Sequence, residues 1–316
     1  MKSLKLASVS IALGLLWPMG ASAQDRTVAI TVDDLPYATV HALSPQDAAA
    51  AEEVNRKLLS TLRHHRVPVT GFVIQNSVEE LGIAAGTEIL KKWTNSEFDL
   101  GNHTYSHPDV NELSVAQIED EIVRGETSFA PLMKQAGKKP KFFRFPMNHT
   151  GDTKEKHEQV AAFLTQRGYR LATCTIDNSD YLFNGAYVRM LARHDAPSAK
   201  RLRFEYLSYT SAEIDYYAGL NQQVFGYEPP QVMLLHDNRL NADVIEPLLA
   251  LFEKKRYKFV SLDRAQSDSA YRIPDTYITK YGPMWGYRWA AERGVKVNGS
   301  LESEPAEWVL QYCKQP

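Results

Sequence analysis

Strand-like apolar runs alternate with helix-like segments along most of this chain, and that alternation restricts its fold more than any other feature. Residues 27–32, 67–74, 98–101, 141–145, 169–176, 232–235 and 259–262 read as short buried strands. Helical stripes lie between them. Ser44-Pro45-Gln46-Asp47 offers an N-cap, a first-turn proline and an acid three residues on, and Ala51, Val54, Leu58 and Leu62 then recur on one face. Ser114 and Gln117 form a capping box, with Val115, Ile118, Ile122 and Phe129 as the buried stripe of one helix. Other helices are expected around 88–93, over 154–167 up to Gly168, and near 242–255. Strands separated by helices pair in parallel and carry the helices outside. The expectation is an α/β fold, a distorted (β/α) barrel of about seven strands, with functional groups gathered at the C-terminal strand ends.

Two regions break the rhythm. Residues 184–230 are long, rich in tyrosine and partly helical, with 212–225 amphipathic, and read as an insertion forming a lid or a wall. Residues 266–316 follow the last strand, hold many Tyr and Trp residues and do not read as a linker, so they are expected to pack on the barrel as a C-terminal extension. The main domain then covers 24–265. Residues 1–23 read as a signal peptide: Lys2 and Lys5, an apolar centre over 11–17 too short to span a bilayer, and Ala21-Ser22-Ala23 for cleavage before Gln24. An exported protein of a bacterial periplasm or exterior is expected, with no membrane span after cleavage. The 36 basic and 38 acidic residues give no excess positive charge for a polyanion, so nucleic acid is not an expected partner. Export permits a disulfide, but Cys174 lies in an apolar run and reads as a small buried hydrophobe, so no pairing with Cys313 is inferred.

The strand ends carry unusual residues. Asp33 and Asp34 close the first strand, His103 and His107 follow the third, Arg144 ends the fourth, Asp177 and Asp180 follow the fifth, and His236 ends the sixth. Adjacent acids are awkward within a strand, because successive side chains face opposite ways, but at a strand's end the chain can turn and bring both to one cleft. His103 and His107, four apart on a helical turn or a loop approaching one, reach a common point. Two imidazoles and a carboxylate make an open three-ligand site for Zn²⁺ or a similar ion.

Five segments in order resemble the polysaccharide deacetylases, the NodB-homology group of carbohydrate esterase family 4. They are Thr31-Val32-Asp33-Asp34-Leu35-Pro36, His103-Thr104-Tyr105-Ser106-His107, Arg144-Phe145-Pro146, Asp177-Asn178-Ser179-Asp180-Tyr181 and Leu234-Leu235-His236. The resemblance spans roughly residues 27–262 and implies a NodB-like barrel. It implies that Asp34, His103 and His107 hold a divalent metal, zinc first, with cobalt or nickel as alternatives. It makes Asp33 the general base, Arg144 the partner that orients it, His236 the general acid and Asp180 the residue that keeps His236 protonated. Pro146, Met147, Tyr181 and Leu234 are expected against substrate, with a backbone N–H near Met147 facing the oxyanion and Tyr181 as an aromatic wall. Asp177 is expected to support its loop. Met147 replaces the family's usual Tyr and Tyr181 its frequent Trp, which bears on substrate more than on reaction type. The implied partner is carbohydrate, and the implied reaction is removal of acetyl groups from N-acetylated sugars of a peptidoglycan- or chitin-like glycan. An O-acetyl esterase acting on a polysaccharide such as xylan is the alternative, and a non-catalytic carbohydrate-binding barrel is a third reading.

Overall fold

The computed structural model describes residues 26–94 and 98–314. The expected signal peptide, residues 1–23, and the mature start at Gln24 lie outside the described residues. Seven strands, β1 (Arg26–Leu35), β2 (Val69–Val73), β3 (Asp99–Asn102), β4 (Phe142–Phe143), β5 (Arg170–Leu171), β6 (Gln231–His236) and β7 (Tyr257–Phe259), form one sheet. Its order is β5-β4-β3-β2-β1-β6, and every pairing is parallel. β7 pairs with the N-terminal end of β1. After Leu171 the chain leaves β4 and reaches β6, where Ile176 bridges Met233. That bridge brings the sheet's two edges together, so the expected distorted barrel is present.

Among the described residues twelve α-helices surround the sheet: α1 (Ala48–His64), α2 (Gln75–Glu80), α3 (Ile83–Thr94), α4 (Val115–Arg124), α5 (Phe129–Gln135), α6 (Lys154–Gln166), α7 (Asp180–Ala192), α8 (Ala196–Phe225), α9 (Arg239–Lys254), α10 (Leu262–Ala265), α11 (Trp285–Glu292) and α12 (Glu307–Lys314). β1 is the central strand, and Val28 to Val32 are all buried, as parallel strands covered on both faces require. α1 buries Ala51, Val54, Leu58 and Leu62 as expected. It also buries Asn55, whose Nδ2 donates to the Pro36 carbonyl at 2.8 Å while its Oδ1 accepts from Trp93 Nε1 at 2.7 Å. One polar side chain in the core thus fixes the turn that follows Asp33 and Asp34. No helix among the described residues is long and apolar enough to cross a membrane.

Several boundaries differ from expectation. The stripe from Val115 to Phe129 is two helices, because the chain breaks after Gly125 and restarts at Phe129. Gly125 sits where a Cβ would stand 2.5 Å from Asn102 Oδ1, which explains a glycine at that close approach. The seventh strand occupies 257–259 rather than 259–262, since the Ser261 hydroxyl caps α10 at Arg264 N. Residues 196–225 form one continuous helix of 30 residues, started by Asp195 and stopped by left-handed Gly226. α8 packs behind the loop that carries Asp180: buried Tyr206 receives Asn178 Nδ2 and donates to Asn241 Oδ1.

In the region after residue 266, Trp285 and Trp289 of α11 bury against Leu220 and Val224 of α8. α12 lies on α7, where a Cβ on Gly185 would be 2.9 Å from Cys313 Sγ. Cys174 and Cys313 are both free. The same contact zone places Glu213 of α8 in the interior, 1 % exposed, with Oε2 unpartnered. Burial first, and Glu302 second, push its carboxyl up to about 7. A raised carboxyl stabilises the fold below its ordinary value, and that contribution is lost as pH rises through 7. Glu213→Gln should therefore stabilise the protein by on the order of 2 kcal/mol at pH 8.5 and by little at pH 5. Thermal denaturation at the two pH values checks this, and an equal change at both would contradict it.

Candidate active site

Parallel register aligns the strand ends. Asp33 of β1 lies opposite His236 of β6, and Asn102, just before His103, lies opposite Phe143, just before Arg144. The register of β1 against β2 shifts between Val32 and Leu35, and Asp34 adopts φ 63°. This irregularity answers the difficulty of two adjacent acids. The backbone turns at Asp34, a residue type that tolerates the left-handed region, and both carboxylates line one cleft.

Asp34 Oδ1 lies 3.5 Å from His103 Nε2 and 3.6 Å from His107 Nε2. The three donor atoms fall within 4.8 Å of one another, and buried Asp34 Oδ1 has no hydrogen-bond partner. His103 Nδ1 is 2.8 Å from the Arg144 carbonyl. A carbonyl only accepts, so Nδ1 carries the proton and Nε2 presents its lone pair to the cluster. Burial, the largest influence, holds His103 down to about 4, which keeps that lone pair free at neutral pH. Burial works against an ionised Asp34, yet His107, His236 and His103 outweigh it and hold the carboxyl below its usual range. The two histidines stand on a loop rather than a helical turn; Thr104 and His107 both have positive φ, and Thr104 Oγ1 accepts from His107 N at 3.0 Å. Two imidazole nitrogens and one unsatisfied carboxylate oxygen suit a divalent ion of the zinc type.

Asp33, 3 % exposed, accepts from Arg144 Nη1 at 2.8 Å. Arg144 is itself buried, bonded to Thr31 Oγ1 and the Ala172 carbonyl, with its guanidinium 4.4 Å from the Phe72 ring centre. His236 Nδ1 lies 2.6 Å from Asp180 Oδ1. Asp180 is fully buried, and its second oxygen accepts from His236 N, Asn238 Nδ2 and Asn241 Nδ2. Burial opposes the charged imidazole, but Asp180 above all, then Asp34 and Asp33, push His236 up to about 10.

The cleft holds about 420 Å³ and is lined by Asp33, Asp34, His103, His107, His236, Met147, Tyr181 and Leu234. Phe145, Asn148, Asp177, Gly282 and Met284 complete the lining. Arg144 and Asp180 stand behind Asp33 and His236, and buried Pro146 is not on the lining. Met147 and Asn148 both have φ 54°, and Met147 is 46 % exposed. Asp177 accepts from Ser179 N at 2.9 Å, as a loop support would, yet it also faces the cleft, and burial raises its carboxyl. Phe145 could have been read from its place between Arg144 and Pro146. Gly282 and Met284 carry no local signal, since they reach the cleft only by the packing of the C-terminal region.

Residues 20–171, just under half of the chain, match the family model for polysaccharide deacetylase. Over that stretch the chain is similar to the polysaccharide deacetylase family. It is 26% identical over 146 residues to a peptidoglycan-N-acetylglucosamine deacetylase of Bacillus cereus, an alignment covering 46% of this chain and 48% of that protein. The chain thus spans about half the length of this curated relative. Among solved structures, a polysaccharide deacetylase from Bacillus cereus superposes with TM-score 0.50 at 18% identity, covering 75% of this chain and 91% of that one. A mutant family 4 pseudoenzyme with restored activity superposes with TM-score 0.50 at 16% identity, covering 77% of this chain and 68% of the other. These two likenesses bear on the fold of this polysaccharide deacetylase homologue, which is the curled parallel sheet described above.

Proposed function

We propose that this protein is a metal-dependent hydrolase that removes acetyl groups from N-acetylated sugars of a peptidoglycan- or chitin-like glycan. The observation that carries the reading is one cleft with three kinds of group: the converging donors of Asp34, His103 and His107, the Arg144-held Asp33, and the Asp180-held His236. Asp34, His103 and His107 would hold a divalent ion, zinc by the donor set, which would supply Lewis acidity and bring the pKa of a water towards ~7. Asp33 takes the proton of the attacking water, and Arg144 donates to that carboxylate and aims it. The water oxygen bonds to the acetyl carbon, and the Met147 backbone N–H faces the developing oxyanion. His236 then gives a proton to the amide nitrogen as the C–N bond breaks, leaving acetate and a free amine. Tyr181 and Leu234 enclose the acetyl methyl or the sugar face. A protonated imidazole held by Asp180 suits an amine leaving group, which leaves only after protonation, so the amide reading is preferred to O-acetyl ester cleavage. The leader-like residues 1–23 and this substrate class both support export to a bacterial periplasm or the exterior.

Metal analysis and acetate release from N-acetylglucosamine oligomers, peptidoglycan and acetylated xylan test the reading. About one divalent ion per chain is expected. Exhaustive chelation should abolish acetate release, and zinc should restore it. Full activity after chelation would sink the metal role, and absence of acetate from every substrate would favour a binding barrel.

A further inference from the structure

Gly282 and Met284, from the segment 276–284, form part of the cleft wall, and no site motif foretells them. The segment is fastened along its length. Arg288, 1 % exposed, donates to both oxygens of Asp275 and to the Tyr277 carbonyl, and its Nη2 donates to the Asn148 carbonyl at 3.4 Å. Asn111, on the loop that follows His107, donates through Nδ2 to the Lys280 carbonyl at 3.0 Å. Trp285 N donates to the Cys174 carbonyl at 2.8 Å. Between these anchors Gly282 lies against the Met147 loop so closely that a Cβ there would stand 1.8 Å from the Met147 carbonyl oxygen. Only glycine allows that approach. Tyr281, next in sequence to Gly282, is 65 % exposed, and Met147 and Tyr181 on the cleft lining also keep large exposed surfaces.

A sugar inside a long chain has a neighbour on each side, so a site acting there needs a trough open at both ends. Here residues 276–284 form a strap pressed at Gly282 onto the Met147 loop, and the cleft of about 420 Å³ lies towards the lower part of the ~300–1,000 Å³ typical of small-molecule pockets. We propose that residues 276–284 close one end of the cleft, so that the unit processed is the end unit of a glycan or short oligosaccharide, with Tyr281 beside the entering chain. This rests on the deacetylase reading above.

The test uses the metal-replete full chain and N-acetylglucosamine oligomers of one to six units, labelled at one end, with the deacetylated position read by tandem mass spectrometry. Acetate loss should be confined to one end unit, by at least about tenfold over any internal unit, and calorimetric affinity should level off among the shortest oligomers. Gly282→Ala forces the strap off Met147, and Tyr281→Ala removes the ring at the mouth from an exposed position. Each should lower the end-to-internal ratio, Gly282→Ala by about tenfold, with folding checked by circular dichroism; if Gly282→Ala does not fold, Tyr281→Ala carries the comparison. Internal units processed as fast as ends by the native protein, or ratios unchanged in the folded variants, would overturn the strap while leaving the deacetylase intact. No acetate from any oligomer would overturn the deacetylase reading and the strap with it.

Discussion

His236→Ala is expected to keep its metal and to lose about 10²–10⁴-fold in turnover on an N-acetyl substrate, with a smaller loss on an O-acetyl ester. The asymmetry follows from the leaving groups. An amine leaves only after its nitrogen is protonated, whereas an alkoxide needs less help. The geometry supports the proposed acid role of His236: Nδ1 is tied to buried Asp180, which leaves Nε2 as the nitrogen free to donate, and the ring is pushed up to about 10. A general acid works only while protonated, so activity falls as pH rises through its pKa. A cation in the neighbouring cluster lowers that pKa by repulsion, and Asp180 opposes the shift. Asp180→Asn should therefore move the alkaline limb of the kcat/KM profile to lower pH, because the ring loses its main anionic partner. Equal losses on amide and ester, with the alkaline limb of Asp180→Asn unmoved, would refute the acid role.

Much of this was readable from local pattern. The apolar run before Asp33 specified a buried parallel strand, and the alternation of strands and helices specified the sheet. The placing of His and Asp at several strand ends then specified which end of the sheet to examine. What escaped the sequence depends on distant contacts. β4 and β5 pair over only two residues each, because the chain from Arg170 crosses from β4 to β6, and nothing in 169–176 marks the point of departure. The long α8 was underread because its N-terminal half mixes charged and aromatic residues, and its buried positions become evident only once α7, α9 and α11 are packed on it. Gly282-Pro283 reads locally as a turn. Its role as a cleft wall depends on Met147, more than a hundred residues earlier. Within the candidate site, residue types were legible, whereas the bend at Asp34 that makes both acids useful was not.

That bend allows the two carboxylates to be told apart by experiment. Asp34 Oδ1 is the oxygen near both imidazoles and lacks any hydrogen bond, while Asp33 Oδ1 is occupied by Arg144. Asp34→Asn replaces a charged donor with a neutral one, so metal affinity should fall by more than the ~10–100-fold typical for losing an outer partner of a ligand. Asp33→Asn leaves Asp34, His103 and His107 in place, so metal should stay bound. The Asn oxygen can still accept from Arg144 Nη1, which preserves the geometry behind the cleft, although the buried guanidinium loses its countercharge and some stability with it. What disappears is the group that takes the water's proton, and turnover should drop by about 10²–10⁴-fold with little change in substrate affinity. Metal occupancy by elemental analysis, turnover by acetate release and folding by thermal denaturation separate the effects. If Asp33→Asn empties the site while Asp34→Asn keeps it filled, the two roles are reversed. If both lose metal equally, Asp33 is a fourth ligand, and the base must be sought elsewhere in the cleft, with Asp177 the remaining carboxylate on its lining.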